Sequence, residues 1–203
     1  MKTLDEIVSL LNEAFQHKQI EWDDLNWFAR IYNLNFHSGE TRFCLFYPKW
    51  NKVIKIPRFD NVHTDYSALE SENYQKAKEL GLEVILLESV FYKTLDNGCN
   101  VYIQEKFSYS HYDLPSFTSA SEHRKIQQAV NTAIYRRVKN SMPSDRQYDD
   151  VWLCRAYQIY GKQFFKKLVQ FLLDNRINDL HGNNVGWKNG LPIILDYAGY
   201  HEF

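Results

Sequence analysis

Apolar residues recur along the first part of the chain at helical spacing. Leu4, Ile7, Leu10, Leu11 and Phe15 share one stripe of a 3.6-residue turn, which predicts an amphipathic helix over residues 3–17. A second helical stretch covers 24–32. The pattern changes at Asn33. Phe43–Tyr47 and Lys52–Ile56 are short β-prone runs on either side of the turn-forming Pro48-Lys49-Trp50-Asn51. Residues 65–80 are polar with helical character and end at Gly81, a residue suited to closing a helix. Two more strands are expected over 83–92 and 100–107, joined by a turn at Asp96-Asn97-Gly98. Long helices over 121–138 and 150–175 follow, divided by a loop bearing Pro143. The last pattern is a hairpin turning at Lys188-Asn189-Gly190, with the apolar strand Leu191–Leu195 as its second arm. Strands first, then helices, then a terminal hairpin predict an α+β fold.

Composition narrows the classes. A chain of 203 residues is long enough for one domain with two lobes. With 44% hydrophobic and 24% charged residues it is a globular chain rather than a disordered one. No apolar run approaches the length of a membrane span, and Met1–Gln16 lacks the apolar centre and small-residue cleavage site of a secretory signal. A cytoplasmic location without a membrane partner is therefore expected. The net charge of −1 argues against nucleic-acid binding driven by counterion release, and Arg136-Arg137-Lys139 reads as a solvated helix face. Cys44, Cys99 and Cys154 are far apart and form no C-x-x-C pair, so neither a disulfide framework nor a zinc site is indicated. The many aromatic residues read as packing groups.

The candidate chemistry lies near the C-terminus, in the stretch INDLHGNNVGWKNGLPIILDYAGYHEF. Asp179 is followed five positions later by Asn184, and the strand Leu191–Leu195 then delivers a second carboxylate, Asp196, ahead of a D-Y-A-G turn containing Gly199. An ordinary polar turn after a helix accounts for Asp, Gly and Asn alone. Phosphoryl transfer, however, needs a carboxylate for the acceptor proton and oxygen ligands from two places for magnesium, and this spacing supplies all three. The stretch resembles the catalytic segment of the protein-kinase-like superfamily. It is most similar to the aminoglycoside-phosphotransferase and choline-kinase-like branch, whose D-L-H-x-x-N loop is matched by Asp179, Leu180, His181 and Asn184. The resemblance implies ATP and magnesium as cofactors, Asp179 as the base, and Asn184 and Asp196 as metal ligands.

The same resemblance implies further residues. Lys55, in Val53-Ile54-Lys55-Ile56, looks like the phosphate-holding lysine of a third strand; strand alternation equally allows it to be an exposed edge lysine. Its carboxylate partner falls to Glu72 or Glu70, which are two apart and cannot share a helix face; the expectation is Glu72, with Glu70 in solvent. Gly39, in the turn His37–Arg42, is the candidate for backbone approach to a phosphate, with a plain hairpin turn as the other reading. Gln104 is placed at the adenine pocket, with the backbones of Glu105 and Phe107 on the adenine edge. Two departures stand out. Asn178 occupies the place of the arginine in the protein-kinase H-R-D, and the chain ends soon after Asp196, where protein kinases continue into substrate-holding segments. The expected fold is thus a two-lobed kinase-like one, truncated after the metal-binding hairpin. It divides into a helical extension (1–32), a β-rich nucleotide lobe (33–106) and a mostly helical lobe with the catalytic loop (107–203). The expected function is phosphoryl or AMP transfer to an unidentified acceptor, in a bacterial or phage-infected cytoplasm. The alternative is a kinase-like nucleotide binder that works by occupying and inhibiting a protein partner.

Overall fold

A computed structural model describes residues 1–58, 64–107, 121, 124–126, 128–129, 150–177, 180 and 184–199. The chain is a mixed α and β protein that divides into two compact units: residues 1–71 with 88–106, and residues 72–87 with 107–203.

The first unit is built on a sheet. Strands β1 (Asn35–Ser38), β2 (Arg42–Phe46), β3 (Lys52–Pro57), β4 (Ser89–Thr94) and β5 (Asn100–Glu105) pair antiparallel in the order β1-β2-β3-β5-β4. Strand alternation separates two faces. Cross-strand partners Phe43 and Ile56, Leu45 and Ile54, and Ile54 and Ile103 lie on one face, which is buried. That face packs with helices α1 (Leu4–Phe15) and α2 (Trp22–Tyr32) through Ile7, Leu11, Phe15, Leu25 and Phe28. The N-terminal helices therefore share the core of the sheet. They are also tied to the β4–β5 turn, where Asn12 and Asp96 exchange two hydrogen bonds of 2.7 Å. Helix α3 (Tyr66–Glu79) starts at Asp65, whose Oδ1 accepts the Ser67 and Ala68 amides at 3.0 Å each, so the side chain caps the helix.

The second unit packs helix α4 (Asp150–Asp174) against a hairpin of β6 (Val185–Lys188) and β7 (Leu191–Ile194). Trp152, Leu153, Phe165, Leu168 and Phe171 of α4 join Leu82, Ile85, Leu86, Val185, Ile194 and Tyr197 in one core. Among the described residues, no helix is long and apolar enough to cross a membrane.

Three elements differ from the sequence expectation. The strand expected over 83–92 is split: Glu83–Ile85 form a 3₁₀ turn, and β4 begins only at Ser89. The apolar run Val84–Leu87 serves the second unit, where Leu86 bridges Ile194 in parallel and the Leu87 amide donates to the Ile194 carbonyl at 3.2 Å. The helix expected over 150–175 is broken at Gly161, whose φ of 79° belongs to the region that glycine alone enters without a Cβ penalty. Strand β1 had no counterpart among the expected runs, because Asn35-Phe36-His37-Ser38 offers a single apolar residue. Of the helix expected over 121–138, most of the span and the Pro143 loop lie outside the described residues.

Candidate functional site

Strand β3 reads Lys-Val-Ile-Lys-Ile-Pro. Ile54 and Ile56 enter the core, so Val53, Lys55 and Pro57 take the opposite face. Register places Cys44 and Tyr102 beside Lys55, and Gln104 beside Val53 and Ser89, on that same face. Lys55 is only 6% exposed, and an ammonium group at that depth requires a counter-charge. Helix α3 supplies it: Lys55 Nζ lies 2.6 Å from Oε2 of Glu70, a residue with no exposed surface. The same oxygen accepts the Ser89 hydroxyl at 3.2 Å.

The expected partner was Glu72, and here the structure corrects the assignment. Glu72 is exposed, and Glu70 takes the ion pair. The rotation of α3 decides between them, and that rotation is set at its first turn. Asp65 caps the helix with one carboxylate oxygen and with the other accepts Tyr102 Oη at 2.8 Å and Asn100 Nδ2 at 3.3 Å. The tie to β5 presents Glu70 to the sheet. Burial, and after it the hydrogen bond to the Asp65 carboxylate, pushes the Tyr102 phenol above its ordinary range, so it remains a donor to that carboxylate. Arg42 completes the cluster. It is 8% exposed, and its Nη1 lies 3.1 Å from Glu70 Oε2, off the hydrogen-bonding direction, so the contact is an ion pair. The sequence reading missed Arg42 as a member of this cluster, although β2 alternation places it on the Lys55 face.

At Gly39 the sequence left a phosphate-facing turn and a plain hairpin turn open, and the structure shows a hairpin turn. The glycine amide donates to the Arg42 carbonyl at 2.9 Å, and its carbonyl accepts Arg58 Nη1 at 3.0 Å. The Gly39 amide thus closes the β1–β2 hairpin. At the end of β5, Gln104 is buried on the Lys55 face. The Glu105 amide donates to the Glu88 carbonyl at 3.1 Å. The Phe107 ring sits where a Cβ on Gly186 would meet it at 2.8 Å, which makes that glycine the seat of the ring.

In the second unit, the β6–β7 hairpin brings Asn184 and Asp196 to neighbouring positions. The Asn184 carbonyl accepts the Leu195 amide at 2.8 Å and the Asp196 amide at 3.4 Å. The segment after Asp196 is held firmly. Buried Asn73 donates from Nδ2 to the Tyr197 carbonyl at 2.9 Å, Lys76 bridges Asn73 and Asn175, and the Tyr197 hydroxyl donates to the Leu87 carbonyl. Backbone pairing thus sets an amide residue and a carboxylate residue at adjacent hairpin ends, and both are residue types that magnesium accepts beside water and phosphate. Among the described residues, no group of three or more His, Cys, Asp or Glu residues gathers as a self-sufficient metal site. Asp179 and His181 lie outside the described residues; nearby Ile177 and Leu180 are buried in the core of this unit.

No protein-family model matches the chain, and no curated protein does. Among solved structures, the Legionella pneumophila Lpg2603 kinase bound to IP6 aligns with 84% of this chain at 9% identity and a TM-score of 0.36. The alignment covers 49% of that kinase, so this chain spans about half its length. A similarity of that size transfers neither fold nor activity.

Proposed function

We propose that this protein is an ATP- and magnesium-dependent phosphotransferase of the protein-kinase-like type, with an acceptor still to be identified. The observation that supports the reading is the buried Lys55–Glu70 pair at 2.6 Å. Protein kinases place a lysine on the third strand and its glutamate on the following helix, and both must be in place for activity. Here β3 and α3 fill those places, and the five-stranded antiparallel sheet is compatible with a kinase-like fold.

In this reading Lys55 binds the α- and β-phosphates as a point charge, and Glu70 holds its ammonium in place. Gln104, the Glu105 carbonyl and the Phe107 amide line the base. Asn184 and Asp196 would hold magnesium, which would supply charge neutralisation for the transferred group. Asp179 accepts the proton of the acceptor hydroxyl. Transfer of the AMP part uses the same residues and is the variant of this reading.

A second reading, a kinase-like nucleotide binder that occupies a protein partner, draws on helix α2. Trp27 is 64% exposed and Ile31, one turn on, is 47% exposed. Tracing label from α- and γ-labelled ATP tests the two readings. Appearance of the γ-label in protein or in an added acceptor supports phosphoryl transfer, and appearance of the α-label supports AMP transfer. Nucleotide binding without either supports the binder.

A further inference from the structure

Within residues 66–71 the fully buried side chains of α3 are Ser67 and Glu70, one turn apart, and both are polar. These positions offer no apolar wedge that would set how the helix is turned toward the sheet. Hydrogen bonds are directional, and they flank Glu70 on both sides. Ahead of it, Asp65 caps the helix through Oδ1, while Oδ2 accepts Tyr102 Oη at 2.8 Å and Asn100 Nδ2 at 3.3 Å. The Asn100 side chain is aimed by Thr94, whose hydroxyl donates to Asn100 Oδ1 at 2.8 Å. Just after Glu70, Ser71 Oγ accepts the Phe91 amide of β4 at 3.2 Å.

These ties are unequal. The Ser71 contact is exposed and joins two neutral groups. The Tyr102 hydroxyl is nearly buried and donates to a carboxylate, and charge-assisted bonds of that kind are about twice as strong as neutral ones. Tyr102 also stands directly across from Lys55 in the β3–β5 register. One residue thus neighbours the lysine on the sheet and holds the start of the helix that carries its glutamate. We infer that Tyr102 is a positioning residue for the proposed transfer: acting through Asp65, it holds α3 at the rotation that sets Glu70 against Lys55. The inference rests on the nucleotide reading of Lys55 and adds to it the hydroxyl on which the placement of that lysine depends.

The test compares the wild type with two variants. Tyr102→Phe keeps the ring and its contact with Phe91. Asp65→Ser keeps a capping oxygen and loses the one that Tyr102 reaches. Without nucleotide, acetic anhydride labels Lys55 according to the time its amine spends unpaired, and peptide mass spectrometry reads this against the exposed Lys49. Transfer of label from γ-labelled magnesium-ATP is measured at saturating ATP, with Kd from calorimetry and the Tm of each protein recorded. A hydrogen bond to a charged group corresponds to roughly ten- to hundredfold, and the Asn100 contact remains, so an effect of about tenfold is expected. Both variants should label Lys55 faster and transfer phosphoryl more slowly by about that factor, well below their Tm. Should Asp65→Ser fail to fold, Tyr102→Phe decides. A lowered Tm with wild-type labelling of Lys55 marks a purely structural hydroxyl and overturns the inference, as does faster labelling with unchanged transfer. In both cases the nucleotide reading stands if the wild type binds ATP and transfers the label. If the wild type binds no magnesium-ATP, that reading falls, and faster labelling of Lys55 in the variants still upholds the Tyr102 tie.

Discussion

Burying an ammonium group to 6% exposure is costly without a counter-charge, and Glu70 supplies a carboxylate that is itself fully buried. Breaking a buried pair by removing one partner costs about 3–5 kcal/mol, because the other charge is stranded. Lys55→Met does not strand Glu70, since Arg42 stays beside it, so its unfolding cost should be below about 2 kcal/mol. Lys55→Met with Arg42→Met should reach the full cost of about 3–5 kcal/mol. Urea unfolding of both single variants and the double variant checks this, and additive single costs would contradict the sharing of Glu70. Glu72→Gln, at an exposed position, should stay within about 0.5 kcal/mol of wild type. The likeness of Val53-Ile54-Lys55-Ile56 to the lysine-bearing third strand of kinases drew attention to Lys55, whereas strand alternation alone equally allowed an exposed edge lysine. The choice of Glu70 over Glu72 was not legible, because both faces of α3 are polar there and the Asp65–Tyr102 tie that sets its rotation joins residues far apart in the chain. Arg42 escaped notice because it was read as part of a turn. Burial, with a smaller contribution from the Asp65 charge, pushes the Cys99 thiol from 9.0 up to about 12, and burial pushes the Tyr160 phenol from 10.0 up to about 12. Both groups hold their protons more tightly folded than unfolded, so their stabilising effect is complete below pH 9 and is lost between pH 9 and 12. Tm should fall across that window, and Cys99→Ala should remove the part of the fall that begins below pH 10.

Among the elements, the β6–β7 hairpin and the segment that follows it carry the candidate metal ligands, and their geometry is fixed by groups within the second unit. Gly199 has a φ of 83°, and a Cβ there would come within 2.5 Å of the Asn175 carbonyl oxygen. Gly199→Ala is therefore expected to cost about 2 kcal/mol or more, from left-handed strain and overpacking against backbone. Asn73→Ala leaves the buried Tyr197 carbonyl without its donor and should cost about 1–3 kcal/mol. Denaturant midpoints with an unchanged m-value measure both, and wild-type midpoints would refute the account of this segment. The glycine of D-Y-A-G stood out in the sequence; Asn73, a polar residue in a polar helix, did not. Helices α1 to α3 and strands β2, β3 and β5 were legible because period and composition agreed. The 3₁₀ turn was not, since a continuous apolar run such as Val84–Leu87 reads as a strand whichever element it packs against. The break at Gly161 was hidden because a single glycine inside a helical pattern is usually tolerated.

For the whole molecule, the two compact units divide the candidate chemistry: Lys55, Glu70, Arg42 and Gln104 in the first, Asn184, Asp196 and Asp179 in the second. The order of elements along the chain, sheet first and hairpin last, was legible from pattern alone; the grouping of 72–87 with the later residues was not, because it depends on the Leu86 and Leu87 contacts with Ile194. Magnesium-ATP at a hundred times its Kd should stabilise the protein by about 2.7 kcal/mol, and Asp196→Ala should abolish the magnesium-dependent part. The central claim is that bound ATP is a substrate, and Asp179→Asn tests it most directly. A general base acts in the transition state and contributes little to ground-state affinity. With ATP occupancy matched by titration, transfer of the γ-phosphoryl label by Asp179→Asn should fall about a hundredfold or more below wild type. Label transfer equal to that of wild type at equal occupancy would contradict the account.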